Sequence, residues 1–446
     1  MPRGLDWPAL EQKLLAVLER GPSTAPELQE ALGISQPSFS RLVDRAGASI
    51  VAFGRARLRQ YGLACTLGPL VGPTALFRID EDGEVEEIGQ LVPIAPDRLV
   101  ADGPRIRPEV GRDLPWFLRD LRPSGFMASL VPGVALHGLP PDLGRWDAAR
   151  LVAYAARLGW NLPGAHIIGE TAVRDWVERR AAPPDRIDGE VAAEYARRAR
   201  VVGAPGDPGA WVSGDHPKFL ATRTGPDGPR PVIVKFSPPR RDRSSRRVAD
   251  LLVAEHLALR SLADAGHLAA PSTLIEADER VFLEVERWDR TRSGGRRATV
   301  SLAHVADRFT SPARSRWSAA TARLLSDDLI DEALHHQVRF REQFAEFVAC
   351  PTVALGDLAL QLADLRLVGA APAYGVAPRS LAPVGGIVPA AMPHLMPPPA
   401  ANRDVAHAAQ EVALTFWTAV RDDERISDDL RLLARQRRAQ LAQLRA

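Results

Sequence analysis

Val232-Ile233-Val234-Lys235-Phe236, followed at Ala249–Leu262 by a stretch of helical spacing that contains Glu255, decides how this chain is read. Three β-branched residues in a row predict a strand covered on both faces. That strand ends on a lysine, so the ammonium lies at the margin of a core. A charge in such a place is costly unless an opposite charge meets it. Glu255, on the predicted amphipathic helix, is the candidate partner. The lysine is informative because lysine is rare here: of 57 basic residues only Lys13, Lys218 and Lys235 are lysine and the rest are arginine. An ammonium is a compact point charge that reaches a phosphate oxygen in a narrow cleft, where a guanidinium is a wide planar fork.

Working outward, Pro217-Lys218-Phe219-Leu220-Ala221 reads as a preceding strand, joined to the first by a turn over Gly225–Pro231. The two lysines flank this turn. Upstream, Gly209–His216, with Gly214, is a candidate phosphate-covering loop. Downstream, Arg280–Arg290 reads as a strand leaving the lobe. The backbone of Glu284, Val285 and Glu286 is expected to form the hinge that meets an adenine edge. A strand lysine, a helix glutamate and a glycine-containing loop are the nucleotide-holding parts of a kinase lobe.

Val-Lys-Phe at 234–236, Ala-Glu-His-Leu-Ala at 254–258, Glu-Arg-Trp-Asp-Arg at 286–290 and Gly-Asp-His-Pro-Lys-Phe at 214–219 together resemble the HipA family of bacterial serine/threonine kinases. These are toxins of toxin–antitoxin systems. The likeness is nearest to the branch (YjjJ type) that carries its own N-terminal helix-turn-helix, and it extends to Leu114–Met127 and Asn161–Glu170. It implies an α+β chain, a winged helix-turn-helix followed by a two-lobed, protein-kinase-like fold. ATP would lie between the lobes, Lys235 would hold its phosphates, and Mg²⁺ would be held from the C-terminal lobe.

Laid without gaps beside the family's catalytic loop, Cys350–Leu358 places Thr352 where the family has its aspartate base and Asp357 where it has a metal-binding asparagine. Gly386 stands at the family's second metal-binding aspartate. The glycine loop becomes Ala210-Trp211-Val212-Ser213-Gly214-Asp215, with a bulky Trp211. A threonine does not take a proton as a carboxylate does, and loss of a base costs about 10²–10⁴ in rate. A glycine has no side chain to hold Mg²⁺, which removes charge stabilisation of the transferring phosphoryl group. Asp357 is left as a single candidate metal ligand. The expectation is a pseudokinase that holds ATP, with Mg²⁺ in doubt. The alternative is an active HipA-class kinase that uses a displaced acid such as Asp327, Asp328, Asp331 or Asp364.

The first 65 residues read differently. Leu10, Leu14, Val17 and Leu18 form one helical stripe that Gly21-Pro22 ends. Ser23-Thr24 caps a second helix with Pro26 in its first turn. After Gly33, Ser35 caps a third, over 36–45. Two short helices around Ala31-Leu32-Gly33-Ile34-Ser35 form a helix-turn-helix pattern. Ile50–Arg59 then reads as a hairpin with alternate arginines, a wing suited to a phosphate backbone. Gln36, Ser38, Arg41 and Arg45 on the third helix and Arg55 and Arg57 on the wing are the candidate contacts to double-stranded DNA. A helical protein-interaction module is the competing reading.

Between these parts, residues 74–95 read as a small β element. Residues 114–127 read as a packing segment, and 145–160 and 170–200 as helices. The expected domains are 1–65 (winged helix-turn-helix), 66–200 (β/α subdomain), 201–300 (nucleotide-binding lobe) and 301–446 (mainly helical lobe). Arg240–Arg247 reads as a solvated loop, Met392–Pro399 as an extended connection, and 403–446 as two helices, the second capped by Ser427. Histidines 335 and 336 diverge by roughly 100° on a helix and read as a solvated face rather than a metal site.

Two cysteines exclude a disulfide framework or zinc cluster. No apolar run reaches the length of a membrane span and no signal peptide is legible, so the expected compartment is the cytoplasm. The net charge of +2 confines any nucleic-acid contact to local patches. The chain is thus expected to act in transcription regulation or a toxin–antitoxin system. A protein partner or antitoxin is expected, a homodimer is left open, and a bare dimerisation scaffold behind a winged helix is a third reading.

Overall fold

The structure, a computed structural model, describes residues 5–126, 139–140, 142–187, 189–202, 214, 216–225, 228–310, 316–349, 357–372 and 403–444. It divides into two compact units, Met1–Arg122 with Ala135–Arg180, and Pro123–Val134 with Ala181–Ala446.

The first unit opens with helices α1 (Trp7–Leu18), α2 (Ala25–Leu32) and α3 (Gln36–Ala46) and a three-stranded sheet of β1 (Ser23–Thr24), β3 (Gln60–Leu63) and β2 (Ile50–Phe53), in that order. Asp6 caps α1 by accepting from the Ala9 amide, and Thr24 with Glu27 forms a capping box on α2. Ser35 stands at the start of α3, but its hydroxyl meets that of Ser38 at 3.1 Å and no cap bond forms. Leu14, Leu18, Leu28, Leu32, Phe39, Leu42 and Ala46 make the core, with Tyr61 edge-on to Phe39 at 5.2 Å. The strands of the expected hairpin end at Phe53 and resume at Gln60, so Arg55, Arg57 and Arg59 lie in the connection rather than alternating along a strand.

A second, five-stranded antiparallel sheet follows: β7 (Ile106–Gly111), β6 (Arg98–Gly103), β5 (Val85–Ile94), β4 (Thr74–Ile79) and β8 (His166–Ile168). The segment after it folds as a short 3₁₀ turn, Trp116–Leu121, that buries Trp116, Phe117, Leu118 and Leu121. Helices α4 (Ala148–Leu158) and α5 (Glu170–Arg180) complete the unit. The two sheets share a core of Phe53, Val92, Ile94 and Val100. The first 65 residues are therefore not packed as a separate body.

The helix expected over 170–200 is broken. Pro183-Pro184 cannot continue it, since proline lacks the amide and clashes with the preceding turn. After α5 the chain makes a short strand, β9 (Arg186–Ile187), and a separate helix, α6 (Val191–Val201). Tyr195 and Ala199 of α6 lie in the core of the second unit.

That unit is built on the sheet β12 (Ser272–Ala277), β13 (Arg280–Glu286), β11 (Gly228–Phe236), β10 (Lys218–Gly225) and β9, in that order. One face carries Phe219, Val232, Val234, Phe236 and Phe282 against Tyr195. The other packs Val281, Leu283 and Val285 on α7 (Arg243–Asp264). Helix α7 begins before the predicted stretch because Asp242 caps it, accepting from the Ser245 amide at 2.8 Å. The chain continues through β14 (Ala298–Ser301), α8 (Leu302–Phe309), α9 (Trp317–Ser326) and α10 (Glu332–Ala349). The hairpin of β15 (Ala359–Ala363) and β16 (Arg366–Ala370) adds to β14. Helices α11 (Arg403–Asp422) and α12 (Asp428–Gln443) close the core with Phe416, Trp417 and Leu430. Ser427 does not cap α12 with its own side chain; its amide and hydroxyl both donate to the buried Asp250 carboxylate of α7.

Candidate functional site: a lysine pair on a sheet and an exposed third helix

Lys218 and Lys235 are direct cross-strand partners in the β10–β11 ladder. Strand alternation places both on the face that carries Val285 and looks toward α7. From α7, Glu255 reaches back, and its carboxylate accepts from the Lys235 ammonium at 2.5 Å. Glu255 is buried, whereas Lys235 keeps about one-sixth of its side chain exposed, 16%. The lysine thus stays reachable while its burial is compensated. Lys218 is more enclosed, at 1% exposure, and donates to the Gly214 carbonyl at 2.9 Å. Gly214 has φ of +114°, and a Cβ there would stand 2.7 Å from the Lys218 ammonium. Only glycine takes this backbone without strain.

The expected hinge is not available as backbone. Glu284 pairs with Val234 on one side and Thr273 on the other, and Val285 pairs with Ile233 and Ser272. The Glu286 amide donates to the Pro271 carbonyl at 2.9 Å. An interior strand has spent these groups on the ladder. Nor does Glu284 face the lysines. Its buried carboxylate lies on the opposite face, where it accepts from Tyr195 at 2.7 Å, Arg223 at 2.7 Å and Arg230 at 2.6 Å. Burial and the Glu284 charge push the Tyr195 hydroxyl above its usual range, so it stays a donor. The sequence reading missed this network, although the alternation of β13 sets Glu284 on the face of Phe282. Just beyond the strand, Asp289 accepts from Arg287 at 2.8 Å and from Arg290 at 2.7 Å.

Asp357 is half-buried and lies immediately ahead of β15. Thr352 and Gly386 lie outside the described residues, as does the glycine loop except Gly214. Of the acids considered as substitutes, Asp327 pairs with Arg323 at 3.0 Å and Asp331 caps α10 by accepting from the Leu334 amide at 2.8 Å. Among the described residues no group of three or more His, Cys, Asp and Glu side chains is placed to hold a metal ion. His336 is exposed, but His335 is half-buried and meets the Thr321 hydroxyl at 2.8 Å. Arg240, Arg241 and Arg243 are paired with Glu276, Glu279 and Asp429, so the expected solvated loop is an ion-paired helix entry.

In the first unit, α3 buries Phe39, Leu42 and Ala46, and Ser38, Arg41 and Arg45 run beside that stripe at helical spacing. Gln36, Arg41 and Arg45 are exposed and Ser38 is half-buried. Gln36 accepts from Gln29 of α2, and Arg45 lies over the Trp7 ring at 5.7 Å. Arg57 is exposed. Arg55 is also exposed, and it donates to the Gly103 and Pro104 carbonyls at 3.3 and 3.1 Å.

Residues 71–177 match the middle domain of YjjJ-like toxins, and residues 210–350 match the HipA-like C-terminal domain. Toxin YjjJ of Escherichia coli (strain K12) is 30% identical over 442 residues, 97% of this chain and 98% of that protein. The chain belongs to the YjjJ-like toxin family. Among solved structures, a chain of the Shewanella oneidensis MR-1 toxin–antitoxin complex of HipA, HipB and operator DNA aligns with TM-score 0.46 and 14% identity, covering 82% of this chain and 96% of that one. The Helicobacter pylori proinflammatory kinase CtkA aligns with TM-score 0.35 and 8% identity, covering 52% and 90%. The YjjJ-like match covers the sheet that shares a core with the first 65 residues. The HipA-like match covers the lysine pair and Glu255. No helix among the described residues is long and apolar enough to cross a membrane.

Proposed function

We propose that this YjjJ-like chain is a DNA-binding, nucleotide-holding regulator in which phosphotransfer is lost or nearly lost. The observation that carries the nucleotide half is the Lys235–Glu255 pair beside Lys218. Two ammonium groups lie side by side on one sheet face, the arrangement that suits the oxygens of a polyphosphate. A lysine held by a helix glutamate is fixed in place rather than free to wander. Lys235 would hold phosphate oxygens, Glu255 would orient it, and Gly214 would let the covering backbone approach. If Mg²⁺ binds, Asp357 is its candidate ligand and the metal would neutralise phosphate charge.

Loss of phosphotransfer is inferred from Thr352 and Gly386 at the positions of the family's base and second metal-binding aspartate. Binding of double-stranded DNA is inferred from a winged helix-turn-helix reading of α1–α3 with β1–β3, in which α3 presents Arg41 and Arg45. In a toxin–antitoxin setting such a protein would act through an operator or a protein partner.

The test has three arms on the full chain. ATP at millimolar concentration is expected to raise the melting temperature, and Lys235→Ala to remove the response. Radiolabelled ATP with Mg²⁺ is expected to leave no label on the protein; strong labelling abolished by Asp357→Ala would establish an active kinase instead. Duplex binding is expected to fall with salt and to weaken in Arg41→Ala. Binding unchanged in that variant would sink the DNA assignment.

A further inference from the structure

The connection between β2 and β3 ends in an apolar tip set between two cations. Leu58 is 82% exposed, the most exposed of the large hydrophobic residues described. Arg57 and Arg59 flank it, are exposed, and enter no ion pair among the described residues. The tip is a built turn. The Leu58 amide donates to the Arg55 carbonyl at 3.1 Å and the Arg59 amide to the Ala56 carbonyl at 3.2 Å. Ala56 holds φ of +48°, a left-handed conformation that costs a non-glycine residue on the order of 1 kcal/mol or more. Gly54, at φ +81°, lets the Leu58 carbonyl approach to where a Cβ would stand 2.7 Å away. The turn is also anchored behind: the Gly54 amide donates to the Asp102 carboxylate at 3.0 Å, and Arg55 holds the Gly103 and Pro104 carbonyls. Backbone strain and three anchoring bonds hold an arrangement whose outcome is a leucine in solvent.

We propose that residues 56–59 are a minor-groove probe, with Leu58 as an apolar wedge and Arg57 and Arg59 on the two phosphate walls. This rests on the DNA-binding reading above and adds which groove the turn enters and what it reads. Apolar side chains that enter the minor groove part base steps, and cations are drawn by the strong negative potential of a narrow A·T groove. In that groove the discriminating feature is the 2-amino group of guanine, which obstructs an apolar tip. Arg55 is not a DNA contact in this arrangement but a strut.

The test uses three duplex polymers and the full chain. Poly(dI·dC) offers the major groove of G·C but lacks the guanine 2-amino group, so it separates the two grooves. The wild-type chain is expected to bind poly(dA·dT) and poly(dI·dC) alike, and poly(dG·dC) about tenfold or more weakly. Leu58→Ala is expected to erase that preference, weakening the first two by about tenfold, the value of one well-buried leucine. It should leave the salt slope unchanged. Arg57→Ala and Arg59→Ala should each lower the slope of log K against log salt by about 1. Because Leu58 is exposed, its variant should melt with the wild type. Equal wild-type binding to poly(dI·dC) and poly(dG·dC), or no effect of Leu58→Ala, overturns the probe while Arg41→Ala still reports on the DNA reading. No binding to any duplex overturns both.

Discussion

Lys235 is legible from three letters of sequence, yet its partner decides its behaviour. Glu255 is buried and its ion pair to Lys235 is short, so removing the lysine strands a carboxylate. Lys235→Met is expected to lower stability by about 3 kcal/mol, as for other buried pairs broken on one side. Lys235→Met with Glu255→Gln should recover most of that loss, because the uncompensated charge is gone. Neither variant should gain the ATP response, which in the wild-type chain is expected at about 2–5 °C of melting temperature. Calorimetric or fluorescence melts of the three chains with and without ATP check this; a double variant that still responds to ATP removes Lys235 from the site. Glu284 shows the opposite kind of acid. Its three donors come from α6, β10 and β11, so it ties those elements together on the face away from Lys235. Glu284→Gln should destabilise by roughly 2–3 kcal/mol, since the bonds lost are charge-assisted. ATP stabilisation measured relative to the variant's own melt should persist.

At the scale of the element, α7 carries both Glu255 and His256, and the two do different things. His256 is buried, and its Nδ1 meets the Ser272 hydroxyl at 2.9 Å. Burial first, then Arg425 and Arg260, lowers its imidazole to about 4, against the opposing charge of Asp423. The folded chain therefore keeps this histidine neutral where the unfolded chain, with an ordinary pKa near 6.5, takes up a proton. Stability from this group is present above pH about 6.5 and is lost as pH falls toward 4. His166 in the first unit is lowered to about 4 by burial and by Arg78, with the same sign. Melting temperature measured from pH 7 to 4 should fall, and less steeply in His256→Gln; parallel curves would refute the assignment. The strands and helices of the lysine lobe were legible because β-branched runs, a helical stripe and a proline-bounded turn all agree locally. The hinge was not. Whether a strand is interior depends on β12 pairing with it, a non-local fact that Glu284-Val285-Glu286 does not encode. The helix predicted across 170–200 failed for a local reason, the Pro183-Pro184 pair. The arginines of 55–59 do not alternate along a strand as expected, because the strand ends at Phe53 and they fall in the connection to β3.

Across the first unit, the helical domain and the five-stranded sheet meet through Phe53, Val92, Ile94 and Val100. The β3 segment also runs against β5: the Ala95 amide donates to the Leu63 carbonyl at 2.9 Å, and the Cys65 amide to the Pro93 carbonyl at 3.3 Å. At Gly62 a Cβ would stand 2.8 Å from the Ile94 side chain. These contacts make the YjjJ-like middle domain a support for the residues proposed to meet DNA, not a spacer behind them. Ile94 is fully buried. Ile94→Ala removes three carbons from this junction, and the cavity should cost about 2–4 kcal/mol. The loss should not stay in the sheet. Amide hydrogen exchange is expected to rise in β2 and β3 together with β5, and duplex binding to weaken although no DNA-facing residue has changed. If exchange rises only in β5 while β2 and β3 keep their protection, the two parts are independent and the middle domain does not set the wing. The physical reason to expect coupling is that residues 50–63 contribute few buried apolar side chains of their own. The strands there hold their twist by leaning on the neighbouring sheet, and a weakened neighbour leaves the turn at 54–59 without its anchor at Asp102.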